Sequence, residues 1–325
     1  MTDSASVGPD TRPDLPELPL GAWEASKTTL HLWAQIVGKV RLRSTAPRNH
    51  WWHASLYPDV RGLTTRRMQR AGQVFAIDLD LIGHRLVVRA GDGRVASFEL
   101  TDGLSVAAFD ERLHATLAGL GLDTGIIERP YGVPMSTPFP ADVEHASYDP
   151  KWVNAYWRVL SWVDGVFEEF AGWYQGKQSP VHLFWHSFDL AVTRFSGRPA
   201  DPPGEEPDPD PVAREAYSHE VVSFGFWPGD ATTREPTFYA YTSPEPDGLT
   251  EHELRPAAAR WTQQPGGSQA HLAYEAVRTA PDPRLALLAF LHTAYEAGAG
   301  AAYWDREALR STFAPGPEWL ERLGR

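Results

Sequence analysis

The chain has 325 residues, 42% of them hydrophobic, with a formal net charge of −12 and no cysteine. It is long enough for one large domain or two ordinary ones, and its charge disfavours nucleic acid and anionic membranes as partners. The missing thiols exclude disulfides, zinc–thiolate sites and a cysteine nucleophile.

Residues 1–16, rich in Pro and Asp, read as a disordered tail with no signal-peptide order of basic then apolar segments. No apolar run approaches the roughly 20 residues that cross a bilayer, so a soluble, cytoplasmic protein is expected. Trp23, Leu30, Trp33 and Val37 recur at helical spacing over 22–37, with Gly38 as a C-terminal stop. Strands are expected at 50–57, 62–67, 73–81, 84–90 and 94–100, the last two joined by the hairpin signal "AGDGR". Asp78 and Asp80 share one face of their strand, which on an antiparallel sheet is expected to meet solvent. A helix over 105–120 opens on Ser105, and one over 150–174 opens on Asp149-Pro150, an N-cap followed by proline at the first helical position.

Strands follow at 181–195, 219–227, 236–242 and 269–277, interrupted by the acidic, Pro-rich stretch 198–214, expected to be a disordered loop. A last helix over 283–299 opens on Asp282-Pro283 and carries Leu285, Leu288, His292 and Tyr295 as its stripe. Set side by side, residues 17–135 and 136–325 share one order: helix, Gly-Lys, aromatic-His strand, antiparallel strands, helix. "NHWWHASLY" answers "HLFWHSFDL", and "FDERLHATLAGLG" answers "LLAFLHTAYEAG". The expected fold is therefore α+β: two related helix–antiparallel sheet–helix halves about a pseudo-two-fold axis, forming one unit with a ligand pocket at the seam.

The stretches "NHWWHASLY", "RGLTT", "EHASYDP", "SPVHLFWHSFDLAVTRFSGR" and "SHEVVSFGFWPG" resemble a bacterial family of uncharacterised proteins, a domain of unknown function, over nearly the whole chain. The resemblance implies no activity, substrate or catalytic residue. It does imply that glycine is accepted where this chain has His186, which argues against an essential catalytic role there.

Glycine-elbow, Walker and His-Glu-x-x-His motifs are absent. As one continuous strand, 181–195 would place His182, Phe184, His186 and Arg194 on one face, and Trp185, Ser187 and Asp189 on the other. His182 and His186 would stand roughly 13 Å apart, too far to share a metal, but an imidazole there titrates near neutrality. Satisfied core-edge histidines are the more ordinary explanation of the pattern. His53 with Tyr57, and His50 with Trp52, would supply the other wall. Glu220 shares its face with Val222, Phe224 and Phe226, as a carboxylate among apolar groups or one paired with an arginine. Lys39 and Lys177 follow glycines after helices, where a cation meets the negative end of the helix dipole.

Two functions fit. One is a small-molecule-binding protein or metal-independent acid–base enzyme, needing no cofactor, with a Trp/His-lined pocket. In it His53, His182 and Glu220 carry protons, while Arg194, His50, His186, Trp52, Tyr57 and Asp189 hold the substrate. The other is a non-catalytic interaction module whose exposed aromatics and acidic loop engage a protein partner.

Overall fold

The computed structural model describes residues 13–122, 124–201, 210–316 and 319. The first half runs α1 (Leu20–Ser44), β1 (Tyr57–Asp59), β2 (Gly62–Thr64), β3 (Met68–Arg70), β4 (Gln73–Asp80), β5 (Arg85–Ala90), β6 (Val95–Glu99) and α2 (Val106–Gly119). The second runs α3 (Pro150–Ala171), β7 (His182–Phe184), β8 (Asp189–Pro199), α4 (Pro211–Ala216), β9 (His219–Trp227), β10 (Thr237–Ser243), β11 (Arg260–Gln264), β12 (Gly267–Ala273), α5 (Tyr274–Arg278) and α6 (Pro283–Ala301). Each half contributes one antiparallel six-stranded sheet, ordered β1-β2-β4-β5-β6 with β3 beside β4, and β11-β12-β10-β9-β8-β7. The fold is α+β. Helix, antiparallel sheet and helix follow in the same order in both halves, an arrangement compatible with duplication.

The outer strands β1 and β7 come together at one point. The Leu56 N–H donates to Leu183 O at 2.9 Å, and the Leu183 N–H returns the bond to Leu56 O at 2.8 Å. Reciprocal exchange of this kind defines a hydrogen-bonded antiparallel pair.

α1 is the central post of the molecule. Every residue from Thr29 to Arg41 is buried, so this stretch of the helix has no solvent face to give it an amphipathic stripe. Four of its polar side chains, Lys27, His31, Gln35 and Lys39, fall at intervals of four, which aligns them along one side. Three of them bond distant backbone. Lys27 Nζ donates to Gly229 O at 2.6 Å, His31 Nε2 lies 3.0 Å from Trp185 O, and Gln35 Nε2 donates to Tyr131 O at 3.0 Å. Lys39 lies over the Trp185 ring, 5.4 Å from its centroid.

The caps expected for α2, α3 and α6 are present: Ser105, Asp149 and Asp282 each accept a first-turn N–H. Gly38, by contrast, lies inside α1. A Cβ there would stand 2.2 Å from Trp185 Cδ1, so this glycine admits an indole against the helix backbone. Residues 50–57 are not a strand before Tyr57. Asn49–Trp51 form a 3₁₀ turn, with His50 and Trp51 at φ 55° and 60°.

The expected strand 181–195 is a hairpin, its chain reversed through residues 185–188 with Phe188 at φ 63°. The strand expected over 269–277 ends at Ala273 and continues as α5. Of the expected tail, residues 1–12 lie outside the described residues, whereas Leu15 is buried in the core. Of the expected loop, 202–209 lie outside them, while Arg198 and Pro199 extend β8 and Pro211 opens α4. No helix among the described residues is long and apolar enough to cross a membrane.

Candidate functional site

The seam between the sheets is filled by side chains. Leu56, His182 and Leu183 are wholly buried, and Trp185 closes the gap by donating its Nε1–H to Ala54 O at 2.9 Å. His182 meets Tyr57, ring centroids 6.3 Å apart, and Arg66 stacks on the other ring at 3.5 Å. Neither His182 nitrogen has a hydrogen-bond partner among the described residues. Burial, helped by the field of Arg41 and Arg66, lowers its pKa to about 3. His182 is therefore a neutral core side chain.

His53 stacks on Trp51 and accepts the Arg48 N–H at Nδ1, 3.1 Å away, with burial lowering its pKa. His50 belongs to a different cluster. Its Nδ1 donates to Glu215 O at 3.0 Å, and its Nε2 lies 2.6 Å from Lys177 Nζ. Its ring packs against Trp52 and Phe195, and burial and then Lys177 lower its pKa. Contrary to expectation, neither Gly-Lys lysine caps a helix: Lys177 holds His50, and Lys39 sits within α1.

His186 lies in the β7–β8 turn, not on a strand face. Its carbonyl accepts from His31 and Gln35 at 3.1 and 3.3 Å, which ties the turn to α1. Asp189 takes the Ser187 hydroxyl on one oxygen and the Tyr239 hydroxyl on the other, both in short contacts. Tyr239 reaches it across β9 at Gly225, where any side chain would overlap the phenol ring. Ser187 Oγ is 3.5 Å from His186 Nε2. In this trio the carboxylate accepts the serine hydroxyl's hydrogen bond and does not orient the imidazole, which is the wrong order for a nucleophilic triad.

Glu220 is paired with Arg198 at 2.6 Å near the surface. Asp80, expected at solvent, is buried. Arg61 reaches it at 2.9 Å, and the Ile82 and Gly83 N–H groups donate to it. Burial alone would raise its pKa, but these partners hold it below the ordinary value.

The turn at 185–188 shifts the face parity of everything after it. His182 pairs with Ala191, so Arg194 points away from His182, toward α3 and α6, with Leu190 and Val192. There it borders a cavity of about 230 Å³ with Trp173, Tyr174, His292, Tyr295, Glu296 and Trp319. Arg194 is 2% exposed. It donates to Phe170 O at 2.6 Å, satisfying a C-terminal carbonyl of α3, and to Gln178 Oε1 at 3.4 Å. Four rings surround it: Phe170 at 3.6 Å, Tyr295 at 4.6 Å, Tyr174 at 4.9 Å and Phe224 at 6.0 Å.

Among the described residues no carboxylate lies within ion-pair distance of Arg194. Burial lowers its pKa to about 9, which leaves it cationic at neutral pH. Tyr174 donates to Phe195 O at 2.6 Å, but the Tyr295 hydroxyl, also buried, has no hydrogen-bond partner among the described residues. Burial lowers the pKa of His292, with Glu296 opposing and the arginines reinforcing. Glu296 is paired with Arg306 at the rim.

Sequence reasoning singled out Arg194 but missed its companions. His292 and Tyr295 had been assigned to the apolar stripe of α6, and two polar-tipped groups on such a stripe were the available signal. Fold and cavity together define an α+β protein of two antiparallel sheets with a small, aromatic, cation-bearing hollow behind the second. The chain belongs to the family of unknown function (DUF5996), whose model matches residues 15–311. No curated protein and no solved structure matches it.

Proposed function

We propose that this protein binds a small anionic metabolite, a carboxylate or phosphate ester with an apolar body, in the cavity beside Arg194. One observation carries this: a buried guanidinium with no carboxylate partner among the described residues, next to empty space and to the unbonded Tyr295 hydroxyl. A buried charge without a counter-charge is costly, and an anion in the cavity supplies one. Guanidinium and phenol both donate, as anion recognition needs, and Trp173, Tyr174 and Trp319 offer faces for an apolar portion. The volume falls below the ~300–1,000 Å³ of drug-sized sites, so the ligand is small.

Binding, and not acid–base catalysis at the seam, is the function favoured, because burial lowers the His182 pKa to about 3, too weak a base to carry protons near neutral pH, and Glu220 is committed to Arg198. A cytoplasmic setting suits a cysteine-free chain. Descent of both halves from one duplicated module also belongs to this proposal, supported by their shared element order and the Leu56–Leu183 pairing. The alternative, an interaction module, draws on Tyr303 and Phe313, which are 88% and 86% exposed. Singly exposed aromatics are normal on soluble proteins, so it is the weaker reading.

The test is thermal-shift and calorimetric screening of small carboxylates and phosphate esters. Hits should stabilise the wild type and His182→Leu alike, bind Tyr295→Phe about tenfold more weakly, as loss of one hydrogen bond to a charged group implies, and leave Arg194→Met unshifted. Ligands that bind all four proteins equally would remove the cavity from consideration.

A further inference from the structure

A second constellation lies in the first half, on the flank of α2. Asp110 and His114 are four residues apart on this helix, in "DERLH", and so project from one side. Glu128, from the segment that follows the helix, joins them. One ligating atom from each of the three lies within 4.8 Å of the other two. The His114 Nε2 to Asp110 Oδ1 distance is 3.5 Å. Two ligands on a tetrahedral ion with bonds of about 2.0–2.1 Å stand roughly 3.3 Å apart.

Asp110 supplies the independent observation. It is 4% exposed, and its Oδ1, the atom facing His114, has no hydrogen-bond partner among the described residues. No lysine or arginine among them lies within 4.0 Å of Asp110 or of Glu128. A buried carboxylate with an unsatisfied oxygen is destabilising, and a second carboxylate within 4.8 Å adds like-charge repulsion. The flank of α2 thus carries two carboxylates that no lysine or arginine among the described residues compensates, with the His114 imidazole beside them.

The geometry points to a divalent metal site formed by Asp110, His114 and Glu128, with a first-row ion of the zinc type as its ligand. Mixed imidazole and carboxylate donors favour such an ion over calcium or magnesium, which prefer all-oxygen shells. Three protein ligands leave a tetrahedral ion one position for water. Asp110 and His114 are preset by the helix, and the exposed Glu128 closes the set from its loop. The site is independent of the Arg194 cavity and stands or falls separately.

The test is titration of the EDTA-stripped full-length chain with Zn²⁺, and with Co²⁺ as a spectroscopic probe. Saturable binding of one equivalent is expected, with an upward shift in melting temperature and visible Co²⁺ absorption. Glu128→Gln changes only an exposed side chain and should weaken binding at least tenfold, by analogy with the 10–100-fold losses seen even when a ligand's supporting partner is removed. Asp110→Asn, checked for native circular dichroism, should abolish the Co²⁺ signal. Absence of saturable binding, or affinity unchanged in Glu128→Gln and His114→Ala, overturns the assignment and points to scattered surface histidines.

Discussion

His182 and Arg194 occupy consecutive strands of one sheet, both buried and both nitrogen-rich, yet they have opposite characters. His182 faces the seam, wholly buried against the Tyr57 and Phe184 rings, and it gives up its charge. Arg194 faces the helices, keeps its charge, and has a cavity in front of it. Burial alone therefore does not mark a site. What separates the two is whether the unpaired group has room for a partner to arrive.

The largest effect that tests this contrast is at Trp185. Its ring fills the gap left by Gly38, and its Nε1–H is bonded. Trp185→Ala should cost about 3–5 kcal/mol in urea unfolding, without altering anion affinity at Arg194. A change in that affinity would show that seam and cavity are coupled.

The pH dependence of stability comes next. His31 and His182 each fall to about 3 in the folded state, against about 6.5 when unfolded. Between these values the unfolded chain binds more protons. Their contribution is thus complete above pH 6.5 and is lost as pH falls, by about 2 kcal/mol per histidine at pH 5. Denaturant melts at pH 7.5 and 5 should show the loss, and His182→Leu should remove about half of it.

At neutral pH that same substitution should leave stability within about 1 kcal/mol of the wild type or above it, because it deletes polar atoms that bond nothing. A loss of several kcal/mol would mean that His182 has a partner after all. The smallest effect concerns Glu220. Arg198→Ala, which breaks a partly exposed pair, should cost under about 1 kcal/mol by the same melts.

The helices were legible because their signals are local. Ser105, Asp149 and Asp282 cap their helices through side-chain bonds spanning two or three residues. Strand β9 lies where alternation places it. The two aromatic-His segments were not legible, because long-range contacts override their strand propensity. Glu215 fixes the His50 main chain in a left-handed conformation, and His31 with Gln35 holds a turn that contains neither glycine nor proline. That turn reversed the expected grouping of His182 with Arg194. The length of α1 was hidden for another reason: a helical stretch buried on every side shows no periodic contrast.

The Leu56–Leu183 bridge also bears on how this chain avoids sticking to others. Unpaired strand margins invite foreign strands, and here two such margins are turned toward each other. Among the described residues, self-association by strand addition would then begin at β6 or β11, at the far ends of the two sheets, or at the side of β3 that does not pair with β4. The Leu56 and Leu183 amides should exchange with deuterium only when the halves separate, which makes them reporters of that opening.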